Sequence, residues 1–287
     1  MRITSQSHLF HTLQYLRNNQ ETLAKAELEV ATGKRIRTIS DDPTAAGAIM
    51  RIDQKLRATE QFRRNTAAVR TRFAAEEEVA AALDDLVDQG RDLAIGTHSD
   101  SPTDPIRQAA LDHVRTLIDQ AIALGNTQVG SDYIFAGSET DTAPFLADGT
   151  YVGDSNVRQV EIQQGLLIDT NHTGDQLFES SIQALQALAI ELEFGTGASI
   201  QATADDLRSA ETEVLSSQAV LGLRLQEIEW ADRHLLRQTN TMLDLREGMA
   251  QADPEESIVR FLAAQTALEQ AREVISRIMQ TSLMDHL

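Results

Sequence analysis

From Pro43 to about Ile95 no proline interrupts a run of apolar residues at near-heptad spacing: Ala45, Ile49, Ile52, Leu56, Phe62, Val69, Phe73, Ala80, Leu83, Val87 and Ala94. A helix of that extent is on the order of 75–80 Å long at 1.5 Å per residue. Such a length exceeds an ordinary globular helix and reads as a rod. A second long run starts at Thr203 or Asp205 and carries Leu207, Val214, Leu221, Leu225, Ile228, Leu235 and Met242 to about Ala250. Each seam needs cover, so the two long helices are predicted to pair.

What lies between the runs is shorter. Asp104 and Pro105 open a helix to Leu124, with its stripe at Ala110, Leu111, Val114, Leu117, Ile118 and Ala121. Residues 126–178 are rich in Gly, Asp and Thr. Short alternating runs at Tyr133–Phe135, Thr150–Val152, Val157–Ile162 and Leu166–Ile168 read as strands, with hairpin turns at Asp148–Gly149 and Gln164–Gly165. Ile182 to Leu192 is a short helix.

Both ends repeat one design. Before the first long run, Leu9, Leu13, Leu16, Leu23, Ala26 and Val30 fall at helical spacing, interrupted by Asn19 and Gln20. Gly33 closes that helix, and Ser40, Asp41, Asp42 and Pro43 restart the next. After the second run, Asp253-Pro254 breaks the pattern. A last helix follows, with Ile258, Phe261, Leu268, Ala271, Ile275, Ile278 and Met279 on one side. Burying the leucines of the first arm yields roughly 1.5–3 kcal/mol each. Ordering its backbone costs about 1–2 kcal/mol per residue. The arm needs a partner surface.

The expected organisation is an N-terminal assembly arm (1–42), the rod's N-terminal half (43–125), a β-rich outer insertion (126–178), the rod's C-terminal half (179–253) and a C-terminal assembly arm (254–287). The fold class is mainly α: a long antiparallel helical rod with a small β-rich insertion and terminal coiled-coil helices. Only 4% of the 287 residues are aromatic, which suits aliphatic helix seams.

Chemistry is sparse. A formal charge of −19 argues against nucleic-acid binding. The absence of cysteine excludes disulfides, thiol catalysis and Cys-zinc sites. No run has the length of a membrane span, and the start lacks a signal-peptide apolar core, so export is expected by a route that cleaves no such signal. His8 and His11 share a helical turn but lack a third ligand, while His113, His172, His234 and His286 are isolated. Asp141, Asp148, Asp154, Asp169 and Asp175 do not follow a calcium-loop spacing and read as turn residues. Glu76-Glu77-Glu78 and Asp84-Asp85 read as a solvated face. No phosphate loop or nucleophile elbow is present. No enzyme activity, cofactor or metal is expected. Lys34, Arg35 and Arg37 are a compact basic group, suited either to a helix C-terminus or to an acidic neighbour in an assembly.

Several motifs together resemble the bacterial flagellin family: Met1-Arg2-Ile3-Thr4, then Ala31-Thr32-Gly33-Lys34-Arg35-Ile36 followed by Ser40-Asp41-Asp42-Pro43, Gln265-Thr266-Ala267-Leu268-Glu269, and the ending Ser282-Leu283-Met284-Asp285-His286-Leu287. Ile39 stands where the family usually has proline. Asp132-Tyr133-Ile134-Phe135-Ala136-Gly137 and Asp148-Gly149-Thr150-Tyr151-Val152-Gly153-Asp154 are similar to the junction-protein branch of that family, as is the ending.

The resemblance implies an extracellular structural subunit of the flagellum, joining the hook, through the first hook-associated protein, to the flagellin filament. It implies unfolded type III export, a cytoplasmic chaperone at the C-terminal arm, and a ring of copies built through the terminal helices. The assembly residues so implicated are Leu9, Leu13, Leu16, Leu23, Lys34, Arg35, Arg37, Phe261, Leu268, Ile275, Ile278, Leu283 and Leu287. A minor filament flagellin, or a secreted coiled-coil module that does not polymerise, are the alternatives.

Overall fold

The computed structural model describes residues 2–97, 99–101 and 103–284, with the side chains of residues 2–9 and 278–284 excluded. Asp-Pro pairs begin three of its helices. Asp42 precedes α2 (Pro43–Gly96), Asp104 precedes α3 (Pro105–Gly125), and Asp253 precedes α6 (Pro254–Met284). In each the Asp side chain accepts a backbone N–H of the first turn: from Ala45 at 3.0 Å, Ile106 at 2.9 Å and Glu255 at 2.9 Å. Proline costs nothing at the first helical position, where its missing N–H has no partner to lose. The remaining helices are α1 (Arg2–Thr32), α4 (Gly174–Phe194) and α5 (Gly197–Ala250).

The long helices match the two long apolar runs, with one difference. α5 starts at Gly197, earlier than Thr203. Thr196 and Ser199 exchange hydrogen bonds there, N of Thr196 to Oγ of Ser199 at 2.8 Å and N of Ser199 to Oγ1 of Thr196 at 3.2 Å. This reciprocal cap fixes the start before the apolar pattern begins.

The chain forms two compact units, Met1–Arg57 with Gln238–Leu287, and Ala58–Arg237. In the central unit, α2 and α5 run antiparallel. Arg63 pairs with Asp232 at 3.4 Å and Arg91 with Glu211. Their buried seams, including Phe73, Leu83, Val87, Leu207, Val214 and Ile228, share one core with Val114 and Leu117 of α3 and Leu185 and Leu188 of α4.

The insertion holds less strand than its sequence suggests. β1 (Gln128–Val129) pairs with β2 (Asp132–Tyr133), and β3 (Gln159–Gln163) pairs with β4 (Leu166–Asp169), both antiparallel. Gly165 turns the second hairpin at φ +78°. Thr150–Val152 forms no strand; a single bridge joins Phe145 to Tyr151 around the Asp148–Gly149 turn. Ile134 and Phe135 leave the ladder and are fully buried. Phe135 meets Phe178 at 5.0 Å and Phe145 meets Phe178 at 5.4 Å. Aromatic packing, rather than strand pairing, organises this region. α4 begins at Gly174, so residues 174–178 are helical rather than part of the insertion.

Two expectations about charge are corrected. Glu76 is fully buried, not solvated. It accepts from Arg72 Nε at 3.2 Å and lies 2.9 Å from His172 Nδ1, so His172 is not isolated either. Arg72 also donates to the Ile134 carbonyl. Glu76 falls on the α2 seam, three residues beyond Phe73 and four before Ala80, where an apolar residue would ordinarily stand.

Arg107 is the largest fully buried side chain, and nothing in the sequence marked it. Its guanidinium donates to the carbonyls of Leu192 (2.6 Å), Glu191 (2.8 Å), Gly195 (2.7 Å) and Ser99 (3.2 Å). A cation from α3 thus closes the C-terminus of α4, where unpaired carbonyls and the helix dipole both favour positive charge.

Candidate assembly site

The terminal unit holds most of the residues expected to act in assembly. α1 ends at Gly33, whose φ of +65° suits a residue without Cβ and whose N–H donates to Glu29 O at 2.9 Å. The chain then runs beside the α5–α6 connection. Arg35 N donates to Ala250 O at 2.8 Å, and Ala252 N donates to Gly33 O at 2.9 Å. Ile36 is buried against this crossing. The two connections are therefore hydrogen-bonded to each other, and α1 and α6 pack as an antiparallel pair.

Within the restart, the roles divide. Asp42 alone caps α2. Asp41 accepts from the N–H groups of Arg37 (3.1 Å) and Thr38 (2.8 Å), and these bonds hold its carboxyl below the usual range. Ser40 meets Thr38 through their hydroxyls at 2.9 Å. Ser40 and Asp41 thus shape the loop before the helix rather than capping it.

The basic group divides too. Arg35 pairs with Asp42 at 3.3 Å and reaches the Met249 carbonyl at 3.4 Å, in the last turn of α5. It is used within the chain, at a helix end that favours a cation. Lys34 and Arg37 are exposed and make no ion pair among the described residues. An open groove of about 1000 Å³ lies beside them, lined also by Ile39, Met50 and Glu247.

The seam between α1 and α6 is selective. On α1, Leu16, Leu23 and Ala26 face it, together with Asn19. On α6 it takes Ser257, Phe261, Ala264, Leu268, Ala271 and Ile275, spaced alternately by four and three. Glu29 meets Arg260 at 3.3 Å. Leu13 and Val30, expected on the stripe, point away from it and are exposed, as is Ile258. A second apolar set is exposed alongside: Phe10, Tyr15 and Leu28 on α1, and Val259, Leu262 and Val274 on α6. These exposed residues are spread over several faces, Leu13 and Tyr15 standing two apart as Leu28 and Val30 do, and the seam takes the one continuous stripe of each helix. Leu9 and Ile278 have side chains outside the described part of the chain; Leu283 has too, and Leu287 lies outside altogether.

Comparison with known proteins places this geometry. A model of the bacterial flagellin N-terminal helical region matches residues 3–140. Flagellar hook-associated protein 3 of Escherichia coli K12 is 26% identical over 99% of this chain and 98% of its own length. The protein of the same name from Salmonella typhimurium LT2 is 24% identical over 81% of this chain and 82% of its own. Among solved structures, FlgL of Bacillus cereus matches with a TM-score of 0.62 at 18% identity, covering 69% of this chain and 99% of its own. The flagellar junction protein FlgL of Legionella pneumophila matches with a TM-score of 0.57 at 18% identity, covering 72% of this chain and all of its own. The first part of the chain is thus similar to the flagellin N-terminal region, and the chain from end to end is similar to hook-associated protein 3.

Proposed function

We propose that this chain is a structural subunit of the bacterial flagellum, an adaptor that joins the hook, through the first hook-associated protein, to the flagellin filament. The similarity to hook-associated protein 3 along almost the whole of both chains carries this reading. The terminal unit supports it physically. Apolar residues left exposed on both sides of the α1–α6 pair lose water only when other chains cover them. A ring of copies, flagellin and the first hook-associated protein are the proposed partners. The arms 1–42 and 254–287 are the proposed assembly elements, and residues 43–253 the body.

Export as an unfolded chain, with a cytoplasmic chaperone on the C-terminal arm, belongs to the same reading. An opened arm offers a chaperone the seam leucines that α1 otherwise covers. Lys34 and Arg37 are proposed to meet acidic residues of a neighbouring copy.

A deletion strain tests the proposal. It is expected to build hooks and release flagellin into the medium without forming filaments. Filaments of ordinary length in that strain would overturn it.

A further inference from the structure

Within the central unit, α2 changes sign along its length. Residues 58–72 carry four arginines and one acid, and residues 76–92 carry seven acids and one arginine. Some of these charges are used inside the chain: Arg63 on Asp232, Arg72 on Glu76, and Arg91 on Asp88 and Glu211. Others face solvent. Arg70, Glu77, Glu78 and Asp85 are exposed and make no ion pair among the described residues. Arg64 is exposed too, and its one acidic contact is Glu60 of the preceding turn, at 3.8 Å. The acidic half is crowded: burial, then the charges of Glu211, Asp85 and Asp88, push the Asp84 carboxyl up.

The free charges share a face. Glu77 follows Arg70 by seven residues and Asp85 follows Arg64 by twenty-one, so each cation and its matching anion lie near one line along the helix. Between the ends of that face stand Ala67, Thr71, Ala74 and Ala81, all exposed and short enough for a second helix to come close. Ala74 is the midpoint. Arg70 and Glu77 lie four residues before it and three after, and Arg64 and Asp85 lie ten before and eleven after.

We propose that this face of α2 binds a second copy of the chain, antiparallel, about a two-fold axis beside Ala74. Turning one copy end over end sets its Arg70 against the partner's Glu77 and its Arg64 against the partner's Asp85, and the symmetry makes each contact twice. A parallel pair in register would set arginine against arginine and carboxylate against carboxylate, so charge disfavours it. The antiparallel pair uses both halves of the face and closes on itself. Exposed ion pairs are weak singly and are screened by salt, so the dimer is loose and salt-sensitive. Subunits of an axial assembly point one way. The pair is therefore a contact of the unassembled chain, and it stands independently of the function proposed above.

The chain has no cysteine, so single cysteines report the geometry. In concentrated full-length protein at low salt, Ala74→Cys is expected to form a disulfide with its own copy under mild oxidation. Ala67→Cys and Ala81→Cys should link to each other when mixed but not to themselves, because like positions then stand about 21 Å apart along the helix at 1.5 Å per residue. Arg64→Glu with Arg70→Glu should slow the Ala74→Cys link at least about tenfold, and adding Glu77→Arg with Asp85→Arg should restore it. Sedimentation should show a wild-type dimer that dissociates as salt rises. Self-linking of Ala67→Cys, equal linking at every position, no link at Ala74→Cys, no restoration by the exchanged charges, or a monomer at low salt would overturn the proposal. The Ala74→Cys result needs no charge variant and decides even where the arginine changes unfold the chain.

Discussion

Leu268→Asp and Val259→Asp place the same carboxylate nine residues apart on α6, with opposite expected outcomes. Leu268 is 5% exposed in the α1–α6 seam, and Val259 is 65% exposed outside it. Removing the buried leucine forfeits about 1.5–3 kcal/mol of burial. The carboxylate adds roughly 1–3 kcal/mol for a polar group without a partner. The α1–α6 pair should then open more easily by about 3–5 kcal/mol, so amide exchange there should rise by roughly two to three and a half powers of ten. Val259→Asp should change opening by no more than about 0.5 kcal/mol, as surface substitutions do. Its effect should appear in assembly, where a neighbouring chain would have to cover a charge. Hydrogen exchange over residues 10–32 and 254–277, followed by motility rescue of a deletion strain, reads both. Loss of motility by both variants, with fast exchange in Leu268→Asp alone, is the expected pattern. Full motility with Val259→Asp would refute the exposed apolar residues around Val259 as an assembly surface. Unchanged exchange in Leu268→Asp would refute the seam.

Other perturbations test the central unit. Arg107→Met should destabilise it by about 3–5 kcal/mol, because four carbonyls lose a buried cation, and exchange should rise first at the α4 C-terminus; calorimetry and hydrogen exchange read this. Glu76→Ala leaves Arg72 buried with its charge unpaired, and a loss of about 3–5 kcal/mol is expected in thermal melting. Asp154 is held at about 2 by hydrogen bonds from Ser138, with those from Asn156 contributing less. Its folded pKa is depressed, so its stabilisation is complete above about pH 4 and is lost as pH falls towards 2. Ser138→Ala should shrink that acid-dependent part of the melting curve. Tyr151 is pushed up to about 12 by burial, and its hydroxyl donates to Phe135 O and Asp154 O. Ultraviolet titration should therefore show one late tyrosine ionisation, absent from Tyr151→Phe.

The long helices were legible because their signals are local: Asp-Pro caps and apolar residues recurring every three or four positions. Alternation overstates the strands because Phe135 and Tyr151 pack with Phe145 and Phe178 as an aromatic cluster, while Ile134 is buried in the core beside them. Glu76 was misread with Glu77 and Glu78, although its heptad position and Arg72 one turn earlier marked it as inward-facing. Arg107 left no signal, since three of its four partners are backbone carbonyls 84 to 88 residues away. The site was half legible. Periodicity revealed the apolar residues of α1 and α6 but not which of them the pair buries. Leu16 and Leu268 lie in the seam, while Leu13 and Val30, with equally good spacing, remain outside it. Spacing fixes faces on a helix; which face meets its own chain depends on the register of the partner helix.

Purified flagella labelled with gold-conjugated antibody against this chain locate it directly. Label confined to the boundary between hook and filament is the expected result. Label distributed along the filament would contradict it and identify a minor flagellin instead.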